Sequence, residues 1–431
     1  VAKATEQPPA LRAPVGAKDV LPPESARWEE MVARFSFKAR LAGFRLILPP
    51  LFEDVAVFSR GVGTSSDIVS KEMYEFEDRG GRRLALRPEA TASVARAFVE
   101  HRPQVLPWKV WYAGPMFRYE RPQAARQRQF YQLGAELLGT DDPAADVETI
   151  ALAWDFLDAV GVIRKTLSVN SLGDSQCRPA FRSSLVEFFS ARASSLCAEH
   201  RERYLDNPMR VLDCKRAECT VASQDAPRQI DSLCAKCHDA FAAVVEGLTD
   251  LGIEHRVDTR LVRGLDYYTR TTFEIASPAL ASAQNALGGG GRYDALVEML
   301  GGPPTPAVGF SLGMERTLLA LDAEGVPHGA EAPDAYVVDL TGGRQASLIA
   351  RELRLAGLAC ERDFGGRSAK AQLRAADRSG ARLAIIVGPD ELESGTVTFK
   401  PLRPASGEDG PGLQRPLPRE GLVEALKKEL S

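Results

Sequence analysis

The thirteen residues "DAEGVPHGAEAPD", 322–334, separate two stretches of chain with different hydrophobic rhythms. They are rich in Gly, Pro, Ala and acid and have no apolar period, which predicts a linker, set at 326–333. Beyond it, "AYVVDL", "RQASLIARELRLAGL", "ACERDF", "SAKAQLRAADRSG" and "RLAIIVG" alternate strand-like and helix-like periods. That alternation predicts a small α/β unit over 334–431 with a largely parallel sheet. Before the linker, short alternating runs are separated by hairpins and irregular loops. "EMYEFEDRGGRRLALRP" turns back at Arg79-Gly80-Gly81, and residues 109–120 and 128–139 read as strands with a charged connection. The pattern predicts an α+β unit over 1–325: a mainly antiparallel sheet with helices at 22–44, at 88–101 and through "PAADVETIALAWDFLDAVGV". From about 174 to 252 the period is helical and cysteine-containing, which predicts a helical insertion.

Net charge over the 431 residues is −4, so no overall basic field points to a polyanion, and any such binding falls to local patches. One patch is "FRYERPQAARQRQF", 117–130, where four arginines and one glutamate leave a local charge of +3. The guanidinium fork matches phosphate oxygens. Arg118, Arg126 and Arg128 are placed to hold a polyphosphate, with Glu120 accepting from an exocyclic amine and Phe130 stacking on a base; a solvated, salt-bridged hairpin tip is the alternative. "LVRGLDYYTRTTFEI" sets Arg263, Asp266, Tyr267 and Tyr268 in a polar turn between strands. "LGGGGRYDAL" has four consecutive glycines, read either as close backbone approach to a ligand or as a flexible loop; it is neither a Walker loop nor a Rossmann fingerprint. "AVGFSLGMERTLLAL" places Arg316 at a helix start, where the dipole disfavours a cation unless an anion is present.

Together these stretches resemble the class II aminoacyl-tRNA synthetases, and among them the histidyl-tRNA synthetases, from "GAKDVLPPE" at residue 16 to the C-terminal helix. "GFRLILPPLFE" resembles motif 1, the dimer-interface motif, "FRYERPQAARQRQF" motif 2, and "GFSLGMER" motif 3. "RLVRGLDYYTRT" and "GGGRYD" resemble the two histidine-specific signatures and are the most specific of the set. The resemblance implies a class II antiparallel sheet with flanking helices, a helical insertion and a C-terminal α/β anticodon-binding domain. It implies ATP held by Arg118, Glu120, Arg126, Phe130 and Arg316, with Arg118 and Arg263 opposing charge on the α-phosphate. Histidine would be held by Glu89, Thr91 and Gln132 at its α-amino group and by Glu136 at its imidazole. Tyr267, Tyr268 and Tyr293 would lie near the ring. Gln123 and Arg128 would face the tRNA acceptor end, and Arg367, Lys370, Gln372 and Arg374 the anticodon. The implied activity is histidine–tRNA ligation, with ATP as substrate, Mg2+, no organic cofactor, tRNA(His) and L-histidine as partners, and a homodimer.

Two competing readings remain open on sequence. A catalytically silent relative that regulates ATP phosphoribosyltransferase would lack the C-terminal unit and degrade these signatures. A class II synthetase for another amino acid would not need "RGLDYY" with Glu136. No apolar run approaches the roughly 18 residues of a membrane span, and the N-terminus has no apolar signal core, so a cytoplasmic location away from membranes is expected. The resemblance does not account for the cysteines. Cys214-x4-Cys219 and Cys234-x2-Cys237 have a spacing compatible with one four-cysteine structural zinc site, with reduced thiols, or with a disulfide.

Overall fold

The computed structural model describes residues 11–63, 68–122, 126–212, 214, 216–262, 264–265, 267–280, 285–327, 332–403 and 413–430. The chain divides into two compact units, Val1–His328 and Gly329–Ser431.

The first unit begins α1 (Glu24–Leu41), β1 (Arg45–Leu46), β2 (Phe52–Asp54), α2 (Val55–Gly61), β3 (Tyr74–Glu77), β4 (Arg83–Leu86) and α3 (Thr91–His101). It continues β5 (Trp108–Phe117), β6 (Gln129–Leu138), α4 (Pro143–Val160) and β7 (Thr166–Ser171). The insertion follows as α5 (Arg178–Ser190), α6 (Ala198–Arg203), α7 (Met209–Leu212), α8 (Ala217–Ala222) and α9 (Ala235–Asp250). Then come β8 (His255–Val257), β9 (Thr269–Ala276), β10 (Ala286–Arg292), α10 (Leu296–Met299), β11 (Ala307–Gly313) and α11 (Met314–Ala323).

Among the described residues, eight strands form one sheet in the order β1-β5-β6-β11-β10-β9-β7-β8. Every neighbour from β5 through to β7 is antiparallel; only the edge pairs β1–β5 and β7–β8 are parallel. β2, β4 and β3 form a small separate sheet. In "FRLILPP" the strand is the two residues of β1, and Pro49 and Pro50 remove backbone donors just beyond it.

Period-2 alternation assigns each face of the large sheet. On β6, Leu133, Ala135 and Leu137 point into a core with Trp28, Met31 and Phe35 of α1 and Phe156 of α4. Phe35 sits at its centre, with ring centroids 5.0 Å from Phe156, 5.8 Å from Trp111 and 6.1 Å from Phe310; truncating such an aromatic commonly costs about 3–5 kcal/mol. The alternate residues Gln132, Gly134 and Glu136 take the opposite face, where α2, α3 and α10 cover part of the sheet and leave a cavity. The helix α4 is fixed at both ends. Asp142 accepts from the Ala144 amide at 2.9 Å, Pro143 takes the first turn, and Gly161 closes the helix at φ 97°.

The glycine run is not a loop. It forms β10, in the middle of the sheet, where a Cβ on Gly290 would lie 1.9 Å from the Gly309 carbonyl oxygen and one on Gly288 2.1 Å from that of Ser311. Strand formers are excluded there by backbone on the adjacent strand, which local propensity does not register.

The second unit runs β12 (Ala335–Asp339), α12 (Arg344–Leu355), β13 (Cys360–Arg362), α13 (Ala369–Arg378), β14 (Leu383–Val387), α14 (Pro389–Ser394), β15 (Thr396–Pro401), β16 (Arg415–Pro418) and α15 (Leu422–Leu430). Its sheet, β13-β12-β14-β15-β16, is parallel across the first three strands and antiparallel across the last three. No helix among the described residues is long and apolar enough to cross a membrane.

Candidate active site

The uncovered face of β6, β10 and β11, together with the chain entering α3 and the turn before β9, lines a cavity of about 240 Å³. Its walls are mostly polar and carry two chemically distinct groups of side chains.

The first group surrounds two buried carboxyls. Glu89 precedes α3 and accepts the amides of Thr91 at 2.7 Å and Ala92 at 2.9 Å, so it caps the helix while lining the cavity. Thr91 turns its hydroxyl the other way and donates to Glu136 at 2.7 Å. Glu136 is wholly buried on β6, and it also accepts from the Tyr293 hydroxyl at 2.6 Å and the Tyr112 hydroxyl at 3.3 Å. Burial, helped by nearby Glu89 and opposed by the three hydroxyl donors, holds the Glu136 carboxyl up at about 8. Burial raises Glu89 as well, opposed by its helix amides. Gly309, opposite Glu136 on β11, makes the room: a Cβ there would lie 1.6 Å from Glu136 Oε2. Tyr267, Tyr268 and Tyr293 are buried alongside, with centroids 4.7 Å apart for the first pair and 5.7 Å between Tyr267 and Tyr293. Gln132 lines the cavity with its side-chain carbonyl oxygen buried and without a hydrogen-bond partner among the described residues. That oxygen is an acceptor for which the described residues supply no donor.

The second group is cationic. Arg118, at the end of β5, donates Nε to the Pro88 carbonyl at 3.0 Å and lies 5.1 Å from the centroid of Phe130. Arg126 pairs with Glu120, and Arg316, in the first turn of α11, donates to the Ala286 carbonyl at 2.9 Å. Burial lowers the pKa of Arg316, and Arg126 and Arg118 lower it further. Arg316 thus feels the positive charge of both other guanidiniums across the cavity, which a polyanion there would neutralise. Glu274 and Glu315 line the same region, and Glu315 accepts the Tyr131 amide at 3.0 Å. These two carboxylates carry no motif signal and were not singled out from the sequence.

Of the other expected site residues, Arg128 lies outside the cavity lining, its guanidinium 4.0 Å from the Tyr119 centroid. Glu136 and Tyr293 stand behind the lining residues. Arg263 and Gln123 lie outside the described residues. Arg292 of "GGGGRYD" turns away from the cavity into a buried pair with Asp146 of α4, at 2.7 Å.

The second unit offers Lys370 and Arg374 on α13, while Arg367 is paired with Asp363. Gln372 does not face solvent. It is buried, accepts the Asp339 amide at 2.9 Å and donates to the Asp339 carbonyl at 2.9 Å, which pins α13 to β12. Phe364, 70% exposed with Arg362 4.3 Å from its centroid, is an aromatic platform beside a glycine pair that composition alone did not flag.

The four cysteines expected as one group fall into two. Cys214 and Cys219 gather with Cys197 and His200, whereas Cys234 and Cys237 gather with Asp174 and Cys177. All seven cysteines are free thiols.

Comparison with known proteins agrees with this architecture. The family model described as histidyl-tRNA synthetase matches residues 16–317, and that described as an anticodon binding domain matches 334–429. A histidine–tRNA ligase of Desulforudis audaxviator is 46% identical over 423 residues, covering 96% of this chain and 98% of the relative. One from Anaeromyxobacter dehalogenans is 48% identical over 391 residues, covering 90% and 94%. The crystal structure of apo S. aureus histidyl-tRNA synthetase superposes with a TM-score of 0.80 at 33% identity, covering 97% of this chain and all of that one. An ATP phosphoribosyltransferase regulatory subunit/histidyl-tRNA synthetase from Bacillus halodurans shares the fold, with a TM-score of 0.63 at 22% identity over 88% of this chain and 99% of that one.

Proposed function

The chain belongs to the histidyl-tRNA synthetase family, and on that premise we propose how its cavity divides the work of a histidine–tRNA ligase. The enzyme activates L-histidine with ATP and passes the histidyl group to tRNA. The observation that carries the residue assignment is one cavity with an ammonium-accepting, carboxyl-rich group beside three converging guanidiniums. An amino acid and a polyphosphate meet where those groups meet.

In this reading Glu89, Thr91 and Gln132 hold the α-amino group. The Gln132 oxygen, without a donor among the described residues, and the buried Glu89 carboxyl are the acceptors that support it. Glu136 takes an imidazole nitrogen, with Tyr267, Tyr268 and Tyr293 enclosing the ring. A buried acceptor rejects amino acids that leave it unpaired, by roughly 10⁴–10⁵ where both partners are polar. Adenine stacks on Phe130 and bonds near Glu120. Arg118, held by the Pro88 carbonyl, faces the α-phosphate, and Arg126 and Arg316 face the terminal phosphate. The histidine carboxylate oxygen forms a bond to the α-phosphorus, the bond to the bridging oxygen breaks, and pyrophosphate leaves. Charge grows on the equatorial oxygens, which Arg118 and Arg263 oppose; losing one such preorganised group commonly costs ~10²–10³ in rate. The tRNA 3′-terminal ribose hydroxyl then attacks the histidyl carbonyl and AMP departs.

Mg2+ would be held with the phosphates by Glu274 and Glu315, hard oxygen donors on the cavity wall, and would supply charge neutralisation there. The acceptor end of tRNA lies toward Arg128 and Gln123, and the anticodon toward Phe364, Arg362, Lys370 and Arg374. A homodimer through the motif 1 region is supported by Leu46, Leu48, Leu51, Phe52 and Phe76, all exposed, with the two phenylalanines 6.3 Å apart. The test is charging of tRNA(His) with labelled histidine and ATP. One AMP per histidyl-tRNA is expected, and ADP in its place would rule out the adenylate route.

A further inference from the structure

Two clusters of metal-ligating side chains in the helical insertion lie outside the cavity lining. One joins Asp174 and Cys177, on the turn after β7, to Cys234 and Cys237 at the start of α9. The other joins Cys197 and His200 to Cys214 and Cys219 among the short helices α6 to α8. Along the chain the pairs are nested: the first closes with the fourth and the second with the third.

We propose that each cluster binds one Zn2+, the outer site clamping the insertion to the catalytic sheet and the inner site holding the insertion together. Within each cluster one ligand atom from every residue lies within 4.8 Å of the others. A tetrahedral ion with Zn–S near 2.3 Å and Zn–N or Zn–O near 2.0–2.1 Å separates its ligands by roughly 3.3–3.8 Å. His200 Nδ1 is 3.1 Å from Cys197 Sγ and 3.9 Å from Cys219 Sγ, and Cys234 Sγ is 4.0 Å from Asp174 Oδ2. Shifts of about half an ångström, outward for the first pair and inward for the other two, bring all three to that spacing. Both sites also carry backbone donors on sulfur, Cys197 N to Cys219 Sγ at 3.3 Å and Cys234 N to Cys177 Sγ at 3.1 Å, which favour the thiolate a metal needs. Three sulfurs with one imidazole, and three with one carboxylate, are donor sets that suit tetrahedral zinc.

The insertion has a physical need for such links. Helices α6, α7 and α8 have six, four and six residues, well under the length that is stable alone. Their apolar core is a small cluster around Phe181, Leu185, Phe189 and Val211. The outer site also adjoins the cavity. Arg178, next to Cys177, donates to the Tyr268 carbonyl at 3.2 Å, and the Arg270 amide donates to the Gly173 carbonyl at 2.8 Å. Losing the outer ion should therefore raise the KM for histidine, whereas losing the inner one should not. This consequence rests on the ligase reading; the metal ratio does not, so the two fail separately.

The experiment is elemental analysis of the full chain, purified without a histidine tag and desalted into metal-free buffer. Two zinc ions per chain are expected, falling to one in Cys219→Ser and in Cys237→Ser and remaining at two in Cys360→Ser. If a serine variant does not fold, the parent stripped by chelator and titrated with Co2+ replaces it. Two equivalents should then build thiolate-to-cobalt charge transfer and tetrahedral d–d bands. A parent ratio of one or zero, disulfides on non-reducing mass analysis, or octahedral cobalt spectra would overturn the proposal.

Discussion

Replacing Glu136 by Gln should stabilise the catalytic unit at high pH while weakening its recognition of histidine. Burial raises this carboxyl from an ordinary 4.5 to about 8. Between those values the folded chain holds a proton that the unfolded chain has released, so the parent loses stability as pH climbs through the window. The difference is about 3.5 pK units, or about 5 kcal/mol, fully expressed above pH 8 and absent below 4.5. Gln has no such term. It does disturb the hydroxyls of Thr91, Tyr293 and Tyr112, which now meet an amide, at a pH-independent cost of about 1–2 kcal/mol. The variant should thus be near the parent or slightly below it at pH 5, and more stable by about 2–4 kcal/mol at pH 8.5. All four tryptophans, Trp28, Trp108, Trp111 and Trp154, lie in the first unit, so fluorescence during denaturant unfolding reports that unit alone. At pH 8.5, where Glu136 is charged, loss of this acceptor for the imidazole, worth about 1.5–3 kcal/mol, should raise the KM for histidine by ~10–100-fold. A stability difference equal at pH 5 and pH 8.5 would refute the assigned burial of the charge.

Gly309→Ala places a methyl where Glu136 Oε2 now lies, so it should raise the KM for histidine at least ~10-fold while leaving the KM for ATP within about two-fold, measured by pyrophosphate exchange. Phe364→Ala should weaken tRNA binding by about 1–3 kcal/mol, the value of one lost base stack, and leave pyrophosphate exchange unchanged. A change in exchange would place Phe364 in a structural role. Arg263→His should lower the adenylation rate ~10²–10³-fold with far less effect on ATP binding, read from single-turnover adenylate formation; equal losses in both would remove it from the transition state.

Much of the site was legible because it is built on strands. Phe130, Gln132 and Glu136 are spaced by even numbers on β6, so period 2 alone puts them on one face, opposite the core residues Leu133, Ala135 and Leu137. Arg316 was legible from the helix dipole. What escaped was decided by partners distant in sequence. Gly288 and Gly290 read either as a close backbone approach to a ligand or as a flexible loop, because composition cannot show the β11 carbonyls that forbid a side chain there. Gln372 read as an anticodon-facing residue, yet its amide finds both backbone groups of Asp339. The cysteines were grouped by nearness along the chain. In the structure Cys234 and Cys237 meet Cys177, some sixty residues earlier, and His200 and Asp174 complete sets that a count of cysteines leaves short.

ATP–pyrophosphate exchange run with each of the twenty amino acids tests the central claim most directly, because it needs the carboxyl-rich group and the guanidiniums to act on one adenylate. Exchange with histidine alone, lost in Arg118→Ala, is the predicted result. Folded protein that exchanges with no amino acid, or equally well with several, would contradict the assignment of the cavity to histidine activation.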